Sequence, residues 1–208
     1  MAAGAAGPDV PTHRRHIDFE VYERDDGFEV IGRLRDDRPW AAGTDDVEHV
    51  HDMSLAVTVR REDLTITAAK ATMHRFPHHE CPGIEDAFSG LVGLGVARGY
   101  SRAVQERFGR SLGCAHLELL ARMVGPVVIQ AIPSSTLRQR GIEEAGSMLA
   151  GAGGAWLADT CHVWRNGGPG PAKLAIGWRP GTTAYPAPSL EELSAGQHTG
   201  GPIGSDET

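Results

Sequence analysis

Two stretches in the first third of the chain alternate between apolar and polar residues. Side chains on a strand alternate between two faces, whereas a helix repeats every 3.6 residues, so this two-residue period predicts β-strands. In the first stretch the pair Asp26-Gly27, a strong hairpin-turn signal, interrupts the alternation. The apolar positions on either side of it are Ile17, Phe19, Val21, Phe28, Val30 and Leu34. The sequence therefore predicts a β-hairpin from about His16.

The second stretch predicts a longer strand with the clearest alternation in the chain. One face carries His49, His51, Met53, Leu55, Val57 and Val59, and the other carries Asp52, Ser54 and Thr58. The polar residues 36–46 before it include Pro39 and Gly43, which predicts a loop. After a turn at Glu62-Asp63, the Thr- and Ala-rich residues 64–73 predict a fourth strand.

From residue 84 the apolar period becomes helical. Apolar residues over 84–96 form a helical stripe, residues 101–108 predict a second helix, and a third opens at Cys114 or its neighbour. Pro133 is expected to end the third helix because proline lacks a backbone N–H, and a weaker helix follows over 141–149. Strands followed by helices predict an α+β fold, with an N-terminal antiparallel β-meander of about four strands packed against C-terminal helices.

Length and composition divide the chain into three parts. The 208 residues suffice for one domain with its own core. Residues 1–13 are small and polar enough to predict a disordered tail, and 14–165 are expected to form a single α+β domain. Glycine and proline dominate from residue 166, so 166–208 are expected to be largely disordered.

Charge and cysteine content exclude several classes of partner. The net charge is −7 and no run of Lys and Arg occurs, which argues against nucleic-acid binding. We expect no stretch apolar enough to span a bilayer, and the N-terminus lacks the features of a signal peptide. Three cysteines cannot all pair, which favours free thiols in the cytoplasm. The expected partner is a small-molecule substrate, and an exposed edge of the fourth strand would allow a homodimer.

Four short motifs concentrate residues that ligate metals, move protons or attack carbon. They are His49-Val50-His51-Asp52-Met53, His79-Glu80-Cys81-Pro82-Gly83, Gly113-Cys114-Ala115-His116-Leu117 and Asp159-Thr160-Cys161-His162. His51 shares the apolar strand face with Met53 and should point inward, where an imidazole needs hydrogen-bond partners. It is either a hydrogen-bonded core residue or a general base or metal ligand.

Cys114 and His116 lie where the third helix is predicted to begin. Unpaired N–H groups at a helix start favour a thiolate and also bind anions. His116, in the first helical turn, can project from the same end. The alternative interpretation of Cys114 is a small buried residue packed against the sheet.

Cys81 and Cys161 are less specific candidates. Cys81 lies in a loop beside His79, but the second histidine of a metalloprotease motif is missing. Cys161 lies in a short apolar element, where a packing role is an equally good interpretation. We predict no cofactor, with zinc as the alternative, although the spacings are not those of a zinc finger. The candidate ligands, if a metal is bound, are Cys81, Cys114, His116, His51 and Cys161.

These residues resemble a bacterial family catalogued as domain of unknown function 2889. The resemblance spans about Arg14 to Trp164. It rests on Tyr22-Glu23-Arg24-Asp25-Asp26-Gly27, His51-Asp52-Met53, Cys81, the Gly113 to Leu117 motif and Thr160-Cys161-His162. Gly-Cys-x-His-Leu is the most specific piece, and Ala115 stands where the family pattern is expected to have Thr. The resemblance implies a shared fold and pocket, and the family name supplies no activity.

The reaction therefore has to be inferred from the candidate site. The sequence has no Gly-x-Ser-x-Gly elbow and no phosphate-binding loop, and Gly93-Leu94-Gly95 lies within a helical stripe rather than after a strand. The expectation is a cofactor-independent lyase, by retro-aldol cleavage or elimination, or an isomerase, acting on a small aromatic or oxo acid.

In this interpretation His51 and His116 act as acid and base, with Cys114 or Cys81 nearby. Tyr22, Arg24 and Trp40 are expected to line or cover the pocket. The alternatives are a zinc-dependent hydrolase or lyase that uses the same Cys and His residues, and a non-enzymatic ligand-binding or interaction domain.

Overall fold

A computed structural model of the chain describes residues 9–151, 157–179 and 186–196. The chain divides into two compact units between Ala131 and Ile132. The first unit contains the sheet and all the residues of the candidate site described below. Most of the predicted N-terminal tail and parts of 166–208 lie outside the described residues.

The first unit is built on a four-stranded antiparallel sheet in the order β1-β2-β3-β4. Its strands are β1 (Arg14–Arg24), β2 (Gly27–Asp37), β3 (His49–Arg60) and β4 (Ile66–Arg75). Helices follow the sheet along the chain, which confirms the predicted α+β fold with its N-terminal meander. The inner face of the sheet is apolar, with Phe28, Val30, Leu34, Met53, Leu55, Val57 and Val59 almost fully buried.

The predicted hairpin is present, with a turn one residue earlier than expected. Asp25 and Asp26 form the turn, and Gly27 already pairs with Arg24 as the first residue of β2. A Cβ atom on Gly27 would lie 2.0 Å from the carbonyl oxygen of Val59 on β3. The glycine is therefore needed for close packing of two backbones rather than for the turn itself.

The polar stretch after the hairpin is not entirely a loop. Strand β2 continues through Asp36 and Asp37, so the prediction of a loop from residue 36 was wrong at its start. The chain then forms a short 3₁₀ helix at Pro39–Ala41 and a single helical turn, α1, at Asp45–Glu48. Polarity alone predicted a loop, but Asp36 lies on the buried face because its charge is paired there.

The helical stripe after residue 84 forms a 3₁₀ helix, Cys81–Leu91, instead of the predicted α-helix. Its buried side chains are Phe88 and Leu91, and the three-residue spacing between them suits a 3₁₀ helix. Phe88 stacks on Phe108 of the next helix, α2 (Tyr100–Phe108), with ring centroids 4.6 Å apart. This stacking holds the 3₁₀ helix and α2 together.

Helix α3 extends over Ala115–Ala150, so Pro133 does not end it as predicted. Proline removes one backbone hydrogen bond, and the Thr136 hydroxyl donates to the carbonyl of Ile132 within the continuing helix. The interruption occurs at Gly141, whose φ of 82° lies in the left-handed region that favours glycine. A shorter 3₁₀ helix, Arg110–Leu112, precedes α3.

One helix of the described residues, over 115–142, is long and apolar enough to cross a membrane by length and composition. The expectation that no stretch meets that criterion was therefore wrong. The first turns of α3 bury Leu117, Leu120, Ala121, Val124 and Val128 completely. Packing in the first unit thus accounts for part of this apolar character, and a core helix of a soluble protein passes the same test.

The second unit adds two short helices, α4 (Pro169–Ala175) and α5 (Leu190–Ser194). Both lie in the range expected to be largely disordered. At the other end of the chain, the Trp40 indole donates to the carbonyl of Thr12, in the stretch expected to be a tail. The proposed division into a 14–165 domain and two disordered tails stays a prediction.

Candidate functional site

Two aspartates at the end of β2 face two histidines at the start of β3. In the strand register Asp36 pairs with His51 and Asp37 pairs with His49, so the register shifts past Val50 between the two pairs. Such an irregularity bends a strand and re-aims side chains, and it is common next to active sites. It places two carboxylate–imidazole pairs side by side at one end of the sheet.

Asp36 is the centre of this arrangement, and its side chain is only 1% exposed. Arg15, its partner on β1, donates to both carboxylate oxygens, with Nε 2.7 Å from Oδ1 and Nη2 2.8 Å from Oδ2. The ring Nε2 of His13 lies 3.2 Å from Oδ1. A buried carboxylate is stable as an ion only when such donors replace water. Arg15 thus allows Asp36 to remain charged inside the protein.

His51 is oriented by the same carboxylate. Its Nδ1 lies 3.0 Å from Oδ2 of Asp36. An ionised carboxylate only accepts hydrogen bonds, so Nδ1 carries the hydrogen and donates it. In the neutral ring the second nitrogen, Nε2, then keeps its lone pair. The side chain of His51 is 19% exposed, so solvent reaches part of the ring.

His116 joins this cluster from the first turn of α3. Its Nε2 lies 3.4 Å from Oδ2 of Asp36, and its ring centroid lies 4.1 Å from that of His51. The two planes are tilted by 39°. The two histidines selected from the sequence therefore lie together and share one carboxylate oxygen, although they are 65 positions apart in the chain.

The charges of the cluster shift two pKa values. Burial opposes ionisation of Asp36, but the hydrogen bonds and charge of Arg15, with the charges of His116 and His13, outweigh it and lower the pKa to about 2. Burial lowers the pKa of His116, and the neighbouring His51 and Arg15 lower it further, against an opposing effect of Asp36. His116 is therefore neutral at neutral pH, beside a carboxylate that stays charged.

Cys114 lies next to His116, on the side of the ring away from Asp36. Its Sγ lies 3.8 Å from Nδ1 of His116, and its carbonyl accepts the first hydrogen bond of α3, from the N–H of Glu118. Cys114 thus occupies the N-cap position predicted from the sequence. The N–H groups of the first turn have no carbonyl partner within the helix.

A second carboxylate–imidazole pair lies beside the first. Nδ1 of His49 is 2.7 Å from Oδ1 of Asp37, whose other oxygen accepts from Arg35 at 3.1 Å. Nε2 of His16 lies 3.8 Å from the same carboxylate. Burial raises the pKa of Asp37, but the bonds and charges of His49 and Arg35 outweigh it, so the net shift is downward. Both aspartates are therefore acceptors in their ionised form.

The predicted pocket-lining residues are not all near this cluster. Tyr22 and Arg24 lie toward the other end of β1, and at about 3.3 Å per residue Tyr22 is roughly 23 Å along the strand from Arg15. Tyr22 donates to Glu20, and Arg24 pairs with Glu29. Trp40, in contrast, is bonded to Thr12, next to His13. Of the three, only Trp40 lies at the histidine end of the sheet.

Within the first unit, Cys81 and Cys114 do not belong to the group of possible ligands that lie close together. Cys81 begins the 3₁₀ helix after β4 and is half-buried, and Cys161 is exposed in the second unit. Within the described ranges, the ligand atoms that lie within 4.8 Å of one another belong to Asp36, His51 and His116. The potential ligand set therefore has two histidines and one carboxylate instead of cysteines.

Sequence comparison identifies the family. The model of a protein of unknown function, DUF2889, matches residues 13–130, more than half of the chain. The chain belongs to this family. The match confirms the resemblance and includes Asp36, His51, Cys114 and His116, but it ends before the Thr160-Cys161-His162 motif. No curated protein and no solved structure matches the DUF2889 chain.

Three residues of the DUF2889 site were missed from the sequence: His13, Arg15 and Asp36. A signal for Asp36 was present, because the inward positions Val30 and Leu34 of β2 continue with the same period to residue 36. Pairing β2 with β3 in register would then have placed Asp36 opposite His51. Arg15 is the position on β1 that faces Asp36.

We predict that Asp36→Asn destabilises the DUF2889 protein by about 3 kcal/mol, because Arg15 and His51 would lose a buried anionic acceptor. Urea denaturation at neutral pH measures this change. Asp52→Asn is the matched control, since Asp52 accepts from Arg33 in the same two-bond geometry, but Arg33 is 57% exposed. The control should lose less than about 1 kcal/mol. Equal losses in the two variants would contradict the central role of Asp36.

The pKa of His116 gives a separate prediction. NMR titration of its ring proton should give a pKa below the ordinary value of about 6.5, and Asp36→Asn should lower it further because the carboxylate opposes the shift. A folded-state pKa below the unfolded value means that the unfolded chain binds more protons. The stability contributed by neutral His116 is therefore lost as the pH falls through about 6.5 toward the folded pKa, and His116→Gln should flatten this dependence. A rise of the His116 pKa in Asp36→Asn would contradict the assignment.

Proposed function

We propose that this protein is a small-molecule enzyme that uses His51 and His116 for acid–base chemistry. The reaction class that fits best is a cofactor-independent lyase, by retro-aldol cleavage or elimination, or an isomerase, and the substrate is a small aromatic or oxo acid. The observation that supports the proposal is the pair of adjacent imidazoles that share the buried, ionised Asp36.

His51 is the base in this scheme. Its Nδ1–H is held by Asp36 at 3.0 Å, which leaves Nε2 as the atom that takes a proton from substrate. The imidazolium that forms is stabilised by the adjacent carboxylate, as in other carboxylate–histidine arrangements. Because Arg15 keeps the pKa of Asp36 near 2, the carboxylate does not take the proton from His51 at neutral pH.

His116 is the group that returns a proton to the substrate; because it starts neutral, His51 first releases its proton to solvent and His116 takes one from solvent. Its lowered pKa makes it neutral before the reaction and a strong acid once it is protonated. The first-turn N–H groups of α3 lie beside it and would stabilise an enolate or phenolate oxygen. Retro-aldol cleavage, elimination and isomerisation all pass through such an oxygen anion, which is why proton transfer next to a carbonyl or phenol is the favoured class.

The composition supports a small-molecule substrate in this scheme. The net charge of −7 disfavours nucleic acid as a partner. Trp40 lies at the histidine end of the sheet with its side chain 39% exposed, where an aromatic face would cover a planar substrate. A cytoplasmic location and a homodimer remain parts of the proposal.

We predict that the protein exchanges the α-proton of small oxo acids or β-hydroxy aromatic ketones for solvent deuterium, as measured by proton NMR. His51→Ala and His116→Ala should each slow this exchange by about 10²–10⁴-fold, the usual contribution of a positioned acid or base. The matched control is His74→Ala, because His74 is an exposed histidine of β4 that bonds to Ser54 on the outer face. His74→Ala should exchange at the wild-type rate.

The competing interpretations give different results in the same experiment. If the folded His51→Ala and His116→Ala proteins exchange deuterium as fast as wild type, the acid–base proposal is wrong. Exchange that is absent from wild type across the substrate panel, together with loss of folding in His116→Ala, would instead favour a non-enzymatic binding domain with structural histidines.

A metal-dependent hydrolase or lyase is the second candidate. One observation favours it, because Asp36, His51 and His116 offer three ligand atoms within 4.8 Å, and two histidines with one carboxylate form a known type of metal site. The metal-free scheme is preferred because Arg15 already occupies both oxygens of Asp36 and would compete with a cation.

Elemental analysis separates these two candidates. We predict that protein purified without a chelator or a histidine tag carries no stoichiometric metal, and that its exchange activity survives treatment with EDTA. Near-stoichiometric zinc or iron in wild type that is lost in His51→Ala, but retained in His74→Ala, would make the cluster a metal centre.

A further inference from the structure

We propose that Cys114 is a covalent nucleophile that cleaves small activated esters or thioesters, with His116 as its base and Asp36 as the group that orients His116. This activity goes beyond the proton-transfer chemistry proposed above, in which no bond to the protein forms. The order in which the thiol, the imidazole and the carboxylate lie in the site supports this role, rather than the presence of a cysteine alone.

Four atoms form a continuous row from thiol to carboxylate. Sγ of Cys114 lies 3.8 Å from Nδ1 of His116, and Nε2 of the same ring lies 3.4 Å from Oδ2 of Asp36. This last contact is electrostatic and is not a hydrogen bond, but the negative charge of Asp36 favours the ring hydrogen on Nε2, the nitrogen that faces it, and Nδ1 then presents its lone pair to the thiol. Nucleophile, base and orienting group in this order define the general arrangement of cysteine and serine hydrolases.

The orienting group is itself fixed. Arg15 holds both oxygens of Asp36, and burial keeps water away from the carboxylate. The ring of His51, 4.1 Å away, restricts the tilt of the His116 ring. The position of His116 is therefore restricted by residues of three different strands, and the charge of Asp36 favours the tautomer that a base for Cys114 requires.

The start of α3 supplies the second requirement of acyl transfer. Cys114 is the N-cap residue, and the unpaired N–H groups of the following turn point out of the helix end beside its side chain. A tetrahedral intermediate formed on Sγ would place its oxyanion near these donors.

A cleft lies close along the chain to this end of the helix. A cleft of about 330 Å³ lies between α2, the 3₁₀ helix at Arg110–Leu112 and α3. Glu118 and Arg122 of α3 line this cleft, whereas Cys114 and His116 do not. The exposed side chain of Leu112 gives this cleft an apolar contact.

The proposed reaction has two balanced steps. Sγ forms a bond to the carbonyl carbon while His116 Nδ1 takes the thiol proton. The bond from that carbon to the leaving oxygen or sulfur then breaks, and His116 protonates the leaving group. In the second step water adds to the thioester carbon, the C–S bond breaks, and the released thiol regains its proton as the carboxylic acid departs.

Cys161 is an internal control for the reactivity of Cys114. It is exposed, whereas Cys114 is half-buried, so accessibility alone predicts that Cys161 reacts faster. The histidine next to it, His162, has its ring Nδ1 engaged by Arg165 at 3.1 Å. If His116 activates Cys114, the more buried thiol should be the more reactive one.

The test uses the full-length wild-type chain with substoichiometric iodoacetamide, followed by peptide mass spectrometry. Cys114 should be alkylated about tenfold faster than Cys161, and His116→Gln should remove that advantage. With p-nitrophenyl acetate, the protein should release a burst of p-nitrophenolate, and one acetyl group should be found on Cys114. The burst should be absent from Cys114→Ser and present in Cys161→Ser, with folding of each variant checked by circular dichroism.

Two results would overturn the inference. One is alkylation of Cys114 no faster than that of Cys161 in the folded wild-type protein, a comparison that needs no variant. The other is a burst that persists in Cys114→Ser, or an acetyl group located elsewhere. Either result with intact deuterium exchange would remove the nucleophile without affecting the acid–base proposal, which depends on His51 and His116 but not on Cys114 and is tested by a different readout.

Discussion

The buried ion pair of Asp36 and Arg15 is the interaction on which the site depends. A carboxylate that is 1% exposed would protonate or move toward water if it lacked a cationic partner. Arg15 supplies that partner from the neighbouring strand, and the two hydrogen bonds also fix the orientation of the carboxylate. The tautomer of His51 follows from its hydrogen bond to this carboxylate, and the same charge favours the ring hydrogen of His116 on Nε2, so one arginine on β1 influences both imidazoles.

The opposite face of the same sheet shows why burial matters. Arg33 and Asp52 are also cross-strand neighbours with two hydrogen bonds, yet this pair is solvated and contacts no histidine of the cluster. Water screens an exposed pair, so it can add little stability and cannot orient a base. The difference between an ordinary surface ion pair and a candidate active site is thus the face of the sheet on which the carboxylate lies.

Much of the sheet could be predicted because strand alternation is a local property. His51 was placed on the inner face from its spacing to Met53 alone, and His116 from its position after the predicted helix start. Asp36 was missed because a carboxylate in a polar stretch resembles a loop residue, although the inward period of Val30 and Leu34 continues to its position. The continuation of α3 past Pro133 was also missed, because the packing of a long helix can tolerate one missing backbone hydrogen bond.

The two proposed activities place different demands on His116, and the geometry limits how both can be met. The two imidazoles are 4.1 Å apart and share one carboxylate oxygen, so two positive charges there would repel each other and only one would be neutralised. His116 therefore cannot hold the thiol proton of Cys114 while His51 holds a substrate proton. The nitrogens that carry a lone pair also differ in their surroundings. Nδ1 of His116 faces Cys114, whereas Nε2 of His51 is the ring nitrogen that is not bonded to Asp36. Because one carboxylate neutralises only one imidazolium, the two proton transfers cannot occur at the same time. An ester or thioester substrate would require His116 to take the proton of Cys114, whereas a substrate with an acidic C–H would require His51 to take the substrate proton.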